Sequence, residues 1–148
     1  MYILQEITRD DNNIFTSWLE YKNINEWMGG IEDWAKYFEY VNSEPDYFLV
    51  KAVLDNKIIG AIWLEIIDGI GYIGIMVNPD EQNKGHGTKI LSLFLQQINK
   101  IIKRDIKQIH YDVDPKNIAS RRCCEKCGFE FAEKDEDGFM NYIYKQSG

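Results

Sequence analysis

The segment from Val77 to Thr88 constrains the fold more than any other part of the sequence. It lies between an apolar run, residues 71–77, and a stretch, residues 85–102, whose apolar side chains recur every three or four positions. This order predicts a buried strand, a short loop and the start of a long amphipathic helix. Because such a helix buries one face against a sheet, the segment favours a layered α/β architecture.

The loop inside this segment has the chemistry of a phosphate site. Glycine at positions 85 and 87 lets backbone N–H groups approach a ligand closely, and the helix N-terminus adds unpaired N–H groups and a positive dipole end. Lys84 and Thr88 add a cation and a hydroxyl. The two glycines alone also fit a plain tight turn. The loop lacks the third glycine of a dinucleotide fingerprint and the ending of an NTP loop, so we expect a phosphate-bearing ligand other than NAD or ATP.

The remaining hydrophobic pattern predicts one mixed α/β domain over residues 1–148. The expected strands are Tyr2–Glu6, Tyr47–Leu54, Lys57–Ile66, Gly71–Val77, Ile106–Val113, Phe129–Ala132 and Gly138–Tyr144, with a tight hairpin at Asp55-Asn56. The expected helices run from Thr8 or Asp10 to about Leu19, over Ile31–Val41, over Gly85–Ile102, and over Asn117–Lys126 with Gly128 at its C′ position, while Asn23–Gly30 is expected to be a loop.

Charge and hydropathy narrow the expected partners. The formal net charge is −7, from 24 acidic and 17 basic side chains. An acidic surface repels nucleic-acid phosphates and concentrates cations such as a polyamine, an aminoglycoside or a basic peptide, although acidity also serves solubility alone. The sequence has no long apolar run and no leader-like pattern. We therefore expect no nucleic-acid partner, no membrane partner and a cytoplasmic location.

The three cysteines lie close together, at positions 123, 124 and 127. An odd count in one short stretch is not a disulfide framework. The pair Cys124-x-x-Cys127 has redox or zinc spacing, but there is no second pair, and His86 and His110 are distant in sequence. Since a structural zinc site uses four ligands, we expect no metal and interpret the cysteines as packing residues on a helix.

Two motifs together resemble one known family. Gln82-x-x-Gly85-x-Gly87 resembles the acetyl-CoA pyrophosphate loop of the GNAT family of N-acetyltransferases. The run from Asn117 to Phe129, in which an Asn opens a helix that ends in Glu-Lys-x-Gly-Phe, is similar to the second signature of that family. The resemblance covers about residues 47–145.

Three further segments resemble one branch of the family, the aminoglycoside 6′-N-acetyltransferases. They are residues 26–30 (Glu-Trp-Met-Gly-Gly), 84–88 (Lys-Gly-His-Gly-Thr) and 112–117 (Asp-Val-Asp-Pro-Lys-Asn). If this branch is the right one, the resemblance implies a role in antibiotic resistance. Similar residues also occur in relatives that acetylate peptides.

The resemblance implies a central, mixed and mostly antiparallel sheet flanked by helices. In it, strands 71–77 and 106–113 splay apart and admit the pantetheine arm of acetyl-CoA. The implied cofactor residues are Ile75 and Val77 on the first splayed strand, Gln82, Asn83, Lys84, Gly85, Gly87 and Thr88 around the pyrophosphate, and Asn117 on the other side. The backbone near Ile75 is the implied contact of the thioester carbonyl.

The resemblance also implies catalytic positions. Asp112 matches a substrate-contacting carboxylate, which would hold the acceptor ammonium and help to deprotonate it. Asp114 and Glu65 are weaker candidates, and both aspartates also suit a turn before Pro115. Cys124 stands where the family usually has a Tyr that protonates the leaving thiolate, so its thiol is either a substitute donor or a packing residue.

Three aromatic residues early in the chain, Trp27, Trp34 and Tyr37, are candidates for the acceptor pocket, because aromatic faces attract cationic amines. Trp27, in a loop beside glycines, is expected to line the pocket. Trp34 has the spacing of a core residue on the second helix, and His86 is expected to face solvent.

These features predict an acetyl-CoA-dependent N-acetyltransferase that acts by direct transfer on a small cationic amine, aminoglycoside-like or a polyamine. The alternatives are a protein or peptide N-acetyltransferase and a catalytically weak acyl-CoA-binding module. The chain is expected to be a monomer or a homodimer.

Overall fold

The computed structural model describes residues 1–27 and 31–146. Its strands are Ile3–Glu6 (β1), Tyr47–Leu54 (β2), Lys57–Ile67 (β3), Ile70–Val77 (β4), Gln108–Val113 (β5), Glu130–Lys134 (β6) and Met140–Lys145 (β7). Its α-helices are Asn12–Trp18 (α1), Lys22–Asn25 (α2), Trp34–Ser43 (α3), His86–Ile101 (α4) and Ile118–Lys126 (α5), with short 3₁₀ turns at Arg9–Asp11 and Pro79–Glu81.

The seven strands form one sheet in the order β1-β2-β3-β4-β5-β7-β6. Neighbours are antiparallel except β4 and β5, which are parallel. The hairpin between β2 and β3 turns at Asp55 and Asn56, whose φ angles are 51° and 64°. Two successive left-handed residues suit the twist of a tight hairpin. The predicted fold class and this hairpin are confirmed.

Helices cover the two faces of the sheet, and each face has its own apolar cluster. On the first face α4 and α5 pack against β3, β4 and β5; the α4 residues that this cluster buries are Ile90, Leu91, Phe94, Leu95 and Ile98. Complete burial of such a side chain contributes about 1.5–3 kcal/mol. On the second face α1 and α3 pack against Leu49, Ala61 and Met76. The predicted long helix therefore anchors the sheet from one side.

Several predicted boundaries need correction. Helix α3 begins at Trp34, because the Asp33 side chain accepts a hydrogen bond from the Lys36 N–H at 3.3 Å and so caps the helix there. The expected loop at 23–30 contains the end of the one-turn helix α2, which is too short to show a sequence period. Strand β5 begins at Gln108 instead of 106. The residues 28–30 of that expected loop lie outside the described residues.

The parallel pair β4–β5 separates partway along its length. The ladder joins 70–72 to 108–110 and ends with the pair Tyr72 and His110. Residues 73–77 of β4 and 111–113 of β5 therefore leave a gap in the middle of the sheet, as the family resemblance implied. Across the described ranges, no helix has the length and apolarity needed to cross a membrane.

Position 74 on β4 requires glycine, because the Trp63 side chain covers it. Trp63 is its partner on β3, and a Cβ added to Gly74 would lie 2.1 Å from two atoms of the indole ring. We predict that Gly74→Ala lowers the free energy of unfolding by about 1–3 kcal/mol, because the ring has to move. In a Trp63→Ala background the same change should cost about 0.5 kcal/mol or less. Urea unfolding of the four chains measures this, and an equal cost in both backgrounds would contradict it.

Candidate active site

A cavity of about 220 Å³ lies where the gap between β4 and β5 meets the N-terminus of α4. The predicted cofactor residues that line it are Ile75, Val77, Gln82, Asn83, Gly85, Gly87, Thr88 and Asn117, and Trp27 lines it too. Lys84 is the predicted cofactor residue that is not in the lining. Its ammonium pairs with Glu81 at 2.6 Å on the surface. The structure thus brings together residues from four separate parts of the chain.

The loop before α4 has the backbone geometry of an anion site. Gly85 is the N-cap of α4 with φ +81°, and Asn83 is also left-handed, with φ 64°. A Cβ on Gly85 would meet nothing within 4 Å, so the space above this residue is open. Because the first N–H groups of a helix have no carbonyl partner inside it, they can bind a pyrophosphate here.

Gln82 ties this loop to two other elements. Its amide N–H₂ donates to the Val77 carbonyl oxygen at 3.3 Å, and its amide oxygen accepts from the Asn23 side chain at 2.9 Å. Asn23 belongs to α2. The helix that sequence reasoning missed therefore contacts the loop and forms one wall of the cavity.

The expectation that His86 faces solvent is wrong. It is half-buried, and its Nδ1 is hydrogen-bonded to the Tyr2 hydroxyl. The two rings meet edge to face, with centroids 5.8 Å apart. This contact depends on tertiary structure, because the fold brings Tyr2, just before β1, against the first turn of α4.

Asp112 lies on the opposite face of the sheet from α4 and α5. It is exposed, and one carboxylate oxygen accepts a hydrogen bond from the Asn141 side chain at 2.7 Å. Counting two residues onward from the pair Tyr72 and His110 brings Gly74 level with Asp112 across the gap. The carboxylate is therefore beside the opening of the gap on this face.

Trp63 is the residue on this face that sequence reasoning missed. Its half-buried indole lies over Gly74, so an aromatic surface stands across the gap from Asp112. Below it, the rings of Tyr72 and His110 are in contact with centroids 5.4 Å apart. The alternation of β3 predicted that Trp63 is in a strand, but its position beside the gap depends on the register with β4.

The other acceptor candidates have simpler environments. One Asp114 carboxylate oxygen accepts from the Lys116 N–H at 2.9 Å, which is the turn-forming role considered from the sequence. Trp34 is 1% exposed, as expected for a core residue. Trp27 is 37% exposed at the rim of the cavity.

The cysteines differ from one another in position. Cys123 lines the cavity, whereas Cys124 is fully buried and is not in the lining. Burial raises the pKa of the Cys124 thiol to about 12, so it is protonated at neutral pH. Cys127 donates to the Thr88 carbonyl oxygen at 3.4 Å, and the Cys123 thiol hydrogen-bonded to it lowers its pKa. Within residues 1–27 and 31–146, no cluster of three His, Cys, Asp or Glu side chains is suited to a metal ion.

Tyr111 is a second residue that sequence reasoning did not single out. Its alternation on β5 marked it as a core residue, and it is 6% exposed. Its ring meets the ring of Phe129 edge to face, with centroids 6.3 Å apart. Burial raises the pKa of this phenol well above its usual value, so the phenol is protonated at neutral pH.

A family model, described as an acetyltransferase (GNAT) domain, matches residues 2–130. The chain belongs to this family, and the resemblance drawn from its two motifs is confirmed. YfmK of Bacillus subtilis (strain 168), described as an uncharacterized N-acetyltransferase, is 25% identical over 143 residues, with 95% of each chain covered.

Two further proteins are similar to this chain. An aminoglycoside N(6′)-acetyltransferase type 1 of Klebsiella pneumoniae is 26% identical over 150 residues, which cover 86% of this chain and 73% of the relative. The structure of spermidine N-acetyltransferase from Vibrio cholerae, in complex with CoA and spermine, matches with a TM-score of 0.83 at 17% identity. That match covers 98% of this chain and 95% of the other, and at this identity it shows the shared fold.

Two glycines offer a matched test of the loop. Gly85 and Gly138 both have left-handed backbones, with φ near 81° and 88°, and a Cβ on either would meet nothing within 4 Å. We predict that Gly85→Glu weakens coenzyme A binding by about tenfold or more, because a carboxylate would face the pyrophosphate. Gly138→Glu carries the same charge and a similar backbone strain of about 1–2 kcal/mol, but it should bind normally. Calorimetric titration measures both, and equal losses of affinity would refute the assignment of the loop.

The thiols give a second prediction. Cys127 is half-buried, whereas Cys123 and Cys124 are buried, so Cys127 should be the first cysteine alkylated at about pH 8. Cys124, with a pKa of about 12, should remain unmodified in the folded chain. Timed alkylation with iodoacetamide, followed by peptide mass spectrometry, measures the order. Early labelling of Cys124 would show that its thiol is accessible and acidic.

Proposed function

We propose that the chain transfers an acetyl group from acetyl-CoA directly to the primary amine of a small cationic acceptor. The observation that carries this proposal is the position of the cavity. It begins at the N-terminus of α4 and reaches the gap between β4 and β5, which opens beside Asp112 on the other face of the sheet. A donor and an acceptor can therefore approach one point from opposite sides.

The cofactor side suits acetyl-CoA. Backbone N–H groups of the loop and of the first turn of α4 would hold the pyrophosphate, and no Cβ fills the space above Gly85. Beyond Tyr72, the backbone groups of β4 that point toward β5 have no strand partner. Apart from the Val77 carbonyl oxygen, which accepts from Gln82, they can pair with the amides of a pantetheine arm. Asn117 and Ser120 line the far wall.

The acceptor side suits an amine. The Asp112 carboxylate attracts an ammonium and can accept its proton, which leaves the nitrogen lone pair free to attack. The Trp63 ring offers a face that binds cations, worth about 0.5–2 kcal/mol. The net charge of −7 adds long-range attraction for a polycation.

The reaction then needs no covalent enzyme intermediate. The amine nitrogen forms a bond to the acetyl carbon, the carbon–sulfur bond breaks, and the coenzyme leaves as a thiolate. Backbone near Ile75 would stabilise the negative charge that develops on the carbonyl oxygen. Asp112, directly or through water, receives the proton that the nitrogen loses.

Aminoglycoside-like amines and polyamines are the acceptors we place first. The acidic charge and the acceptor face favour them, and similar proteins are described as acting on an aminoglycoside and on spermidine. A peptide or protein amine is the second choice. A catalytically weak acyl-CoA-binding module is favoured by one observation, the buried Cys124 at the position where the family usually has a Tyr.

The test is acetylation of a panel of amines: kanamycin, spermidine, lysine and a short basic peptide. Mass spectrometry of the acceptor identifies the product, and Gly85→Glu is the negative control. We expect turnover of kanamycin or spermidine that the variant loses. Tight binding of acetyl-CoA without turnover of any amine would instead support the binding module, and failure to bind acetyl-CoA would refute the proposal.

Asp112 and Asp114 provide a matched pair for the acceptor side. We predict that Asp112→Asn lowers kcat/KM for the cationic acceptor by about a hundredfold, because the proton acceptor is lost while the side-chain shape is kept. Asp114→Asn keeps an oxygen for the Lys116 N–H, so it should change kcat/KM by about twofold or less. Steady-state kinetics at saturating acetyl-CoA measure both. Equal losses would show that Asp112 has no special role.

A further inference from the structure

Asn141 on β7 is hydrogen-bonded to the carboxylate beside the gap. It is directly opposite Asp112 in the antiparallel pair β5–β7, and its side-chain N–H₂ donates to one Asp112 carboxylate oxygen at 2.7 Å. Directly opposed side chains of an antiparallel pair have Cβ atoms about 4.5–5.5 Å apart, so two short side chains can meet there. The register of the two strands therefore sets this bond.

The hydrogen bond reaches Asp112 from the side away from the gap. At this level β5 keeps β7 as a neighbour, whereas its parallel ladder with β4 has already ended at Tyr72 and His110. The donor thus comes from β7, and the gap lies on the other side of Asp112. Across the gap, the position level with it is Gly74, which has no side chain to compete for the carboxylate.

The second oxygen of this carboxylate is available to a ligand. Asp112 is exposed, and within residues 1–27 and 31–146 the bond from Asn141 is the one hydrogen bond that its carboxylate accepts. An ionised carboxylate can accept hydrogen bonds at both oxygens. One oxygen is therefore fixed by β7, while the other can accept from an ammonium.

Fixing the carboxylate matters because proton transfer depends on short distances. A proton acceptor has to lie within about 2.6–3.2 Å of the nitrogen that gives up the proton, or reach it through one water. An exposed aspartate without a partner exchanges between rotamers, and only some of them meet this requirement. A hydrogen bond that is present before the amine binds reduces the ordering that binding has to supply.

We infer that Asn141 is a positioning residue for the acceptor amine, and that it fixes the Asp112 carboxylate so that the second oxygen receives the ammonium. This inference rests on the proposed function. The proton moves from the acceptor nitrogen to Asp112, directly or through water, and Asn141 keeps both of its amide protons. Asn141 thus acts through Asp112 and makes no contact with the reacting atoms.

The experiment separates the hydrogen bond from the size of the side chain. Asn141→Leu keeps a similar size and removes the donor, whereas Asn141→Ser keeps a hydroxyl donor. Glu133→Gln is the control, because the exposed Glu133 is the partner of Asn141 on β6, on the side away from Asp112. Steady-state kinetics with kanamycin and with spermidine, at saturating acetyl-CoA, measure kcat and KM for each chain.

We expect Asn141→Leu to lower kcat/KM for the cationic acceptor by about tenfold, because a hydrogen bond to a charged group is lost. The KM for acetyl-CoA should not change. Asn141→Ser should stay within about threefold of the unmodified chain, and Glu133→Gln within about twofold. Thermal unfolding of each variant identifies any general loss of structure.

A double-mutant cycle shows whether Asn141 acts through Asp112. In an Asp112→Asn background, Asn141→Leu should lower kcat/KM by about twofold or less, because the proton acceptor that it positions is already absent. A tenfold loss in both backgrounds would overturn the inference and leave the proposed function intact.

Two further outcomes count against the inference. If Asn141→Ser loses as much activity as Asn141→Leu while both remain folded, the donor is not what matters at this position. If the unmodified chain binds acetyl-CoA but acetylates no amine, the proposed function fails, and this inference fails with it.

Discussion

The parting of β4 from β5 is the constraint on which the site depends. The parallel ladder ends after Tyr72 and His110, so the upper part of each strand keeps only one neighbour. Unpaired backbone groups in the middle of a sheet are costly unless a ligand or solvent satisfies them. In this chain they face a cavity that also receives the N-terminus of α4. One break in pairing thus creates a slot, supplies its hydrogen-bonding groups and connects it to an anion site.

The gap also separates two kinds of chemistry. The face that carries α4 and α5 provides backbone N–H groups and glycines, which suit a phosphate-bearing donor. The opposite face provides the Asp112 carboxylate and the Trp63 ring, which suit a cation. Because the gap connects the two faces, a donor and an acceptor of opposite charge can meet without competing for one surface. This arrangement supports direct transfer more strongly than the charge of the whole chain does.

The two cysteines of α5 have different environments, which bears on the proposed transfer. Cys123 lines the cavity, whereas Cys124 is enclosed by the core. Because a side chain enclosed by the core contacts no ligand in the cavity, Cys124 does not supply the proton donor that the family resemblance implied for a helix tyrosine. In the proposed reaction the coenzyme therefore leaves as a thiolate or takes a proton from water.

The sequence by itself determined the elements and the loop, because these depend on local periodicity, on turn residues such as Asp55-Asn56 and on the glycines of the phosphate loop. It also indicated most of the cavity lining through two motifs. It could not locate α2, which is a single turn, nor the contact between His86 and Tyr2, which joins distant parts of the chain. Trp63 looked like an ordinary strand residue, since its position beside the gap depends on strand register and on where the ladder ends. Tertiary structure alone decided these, because a gap in a sheet is a property of two strands together.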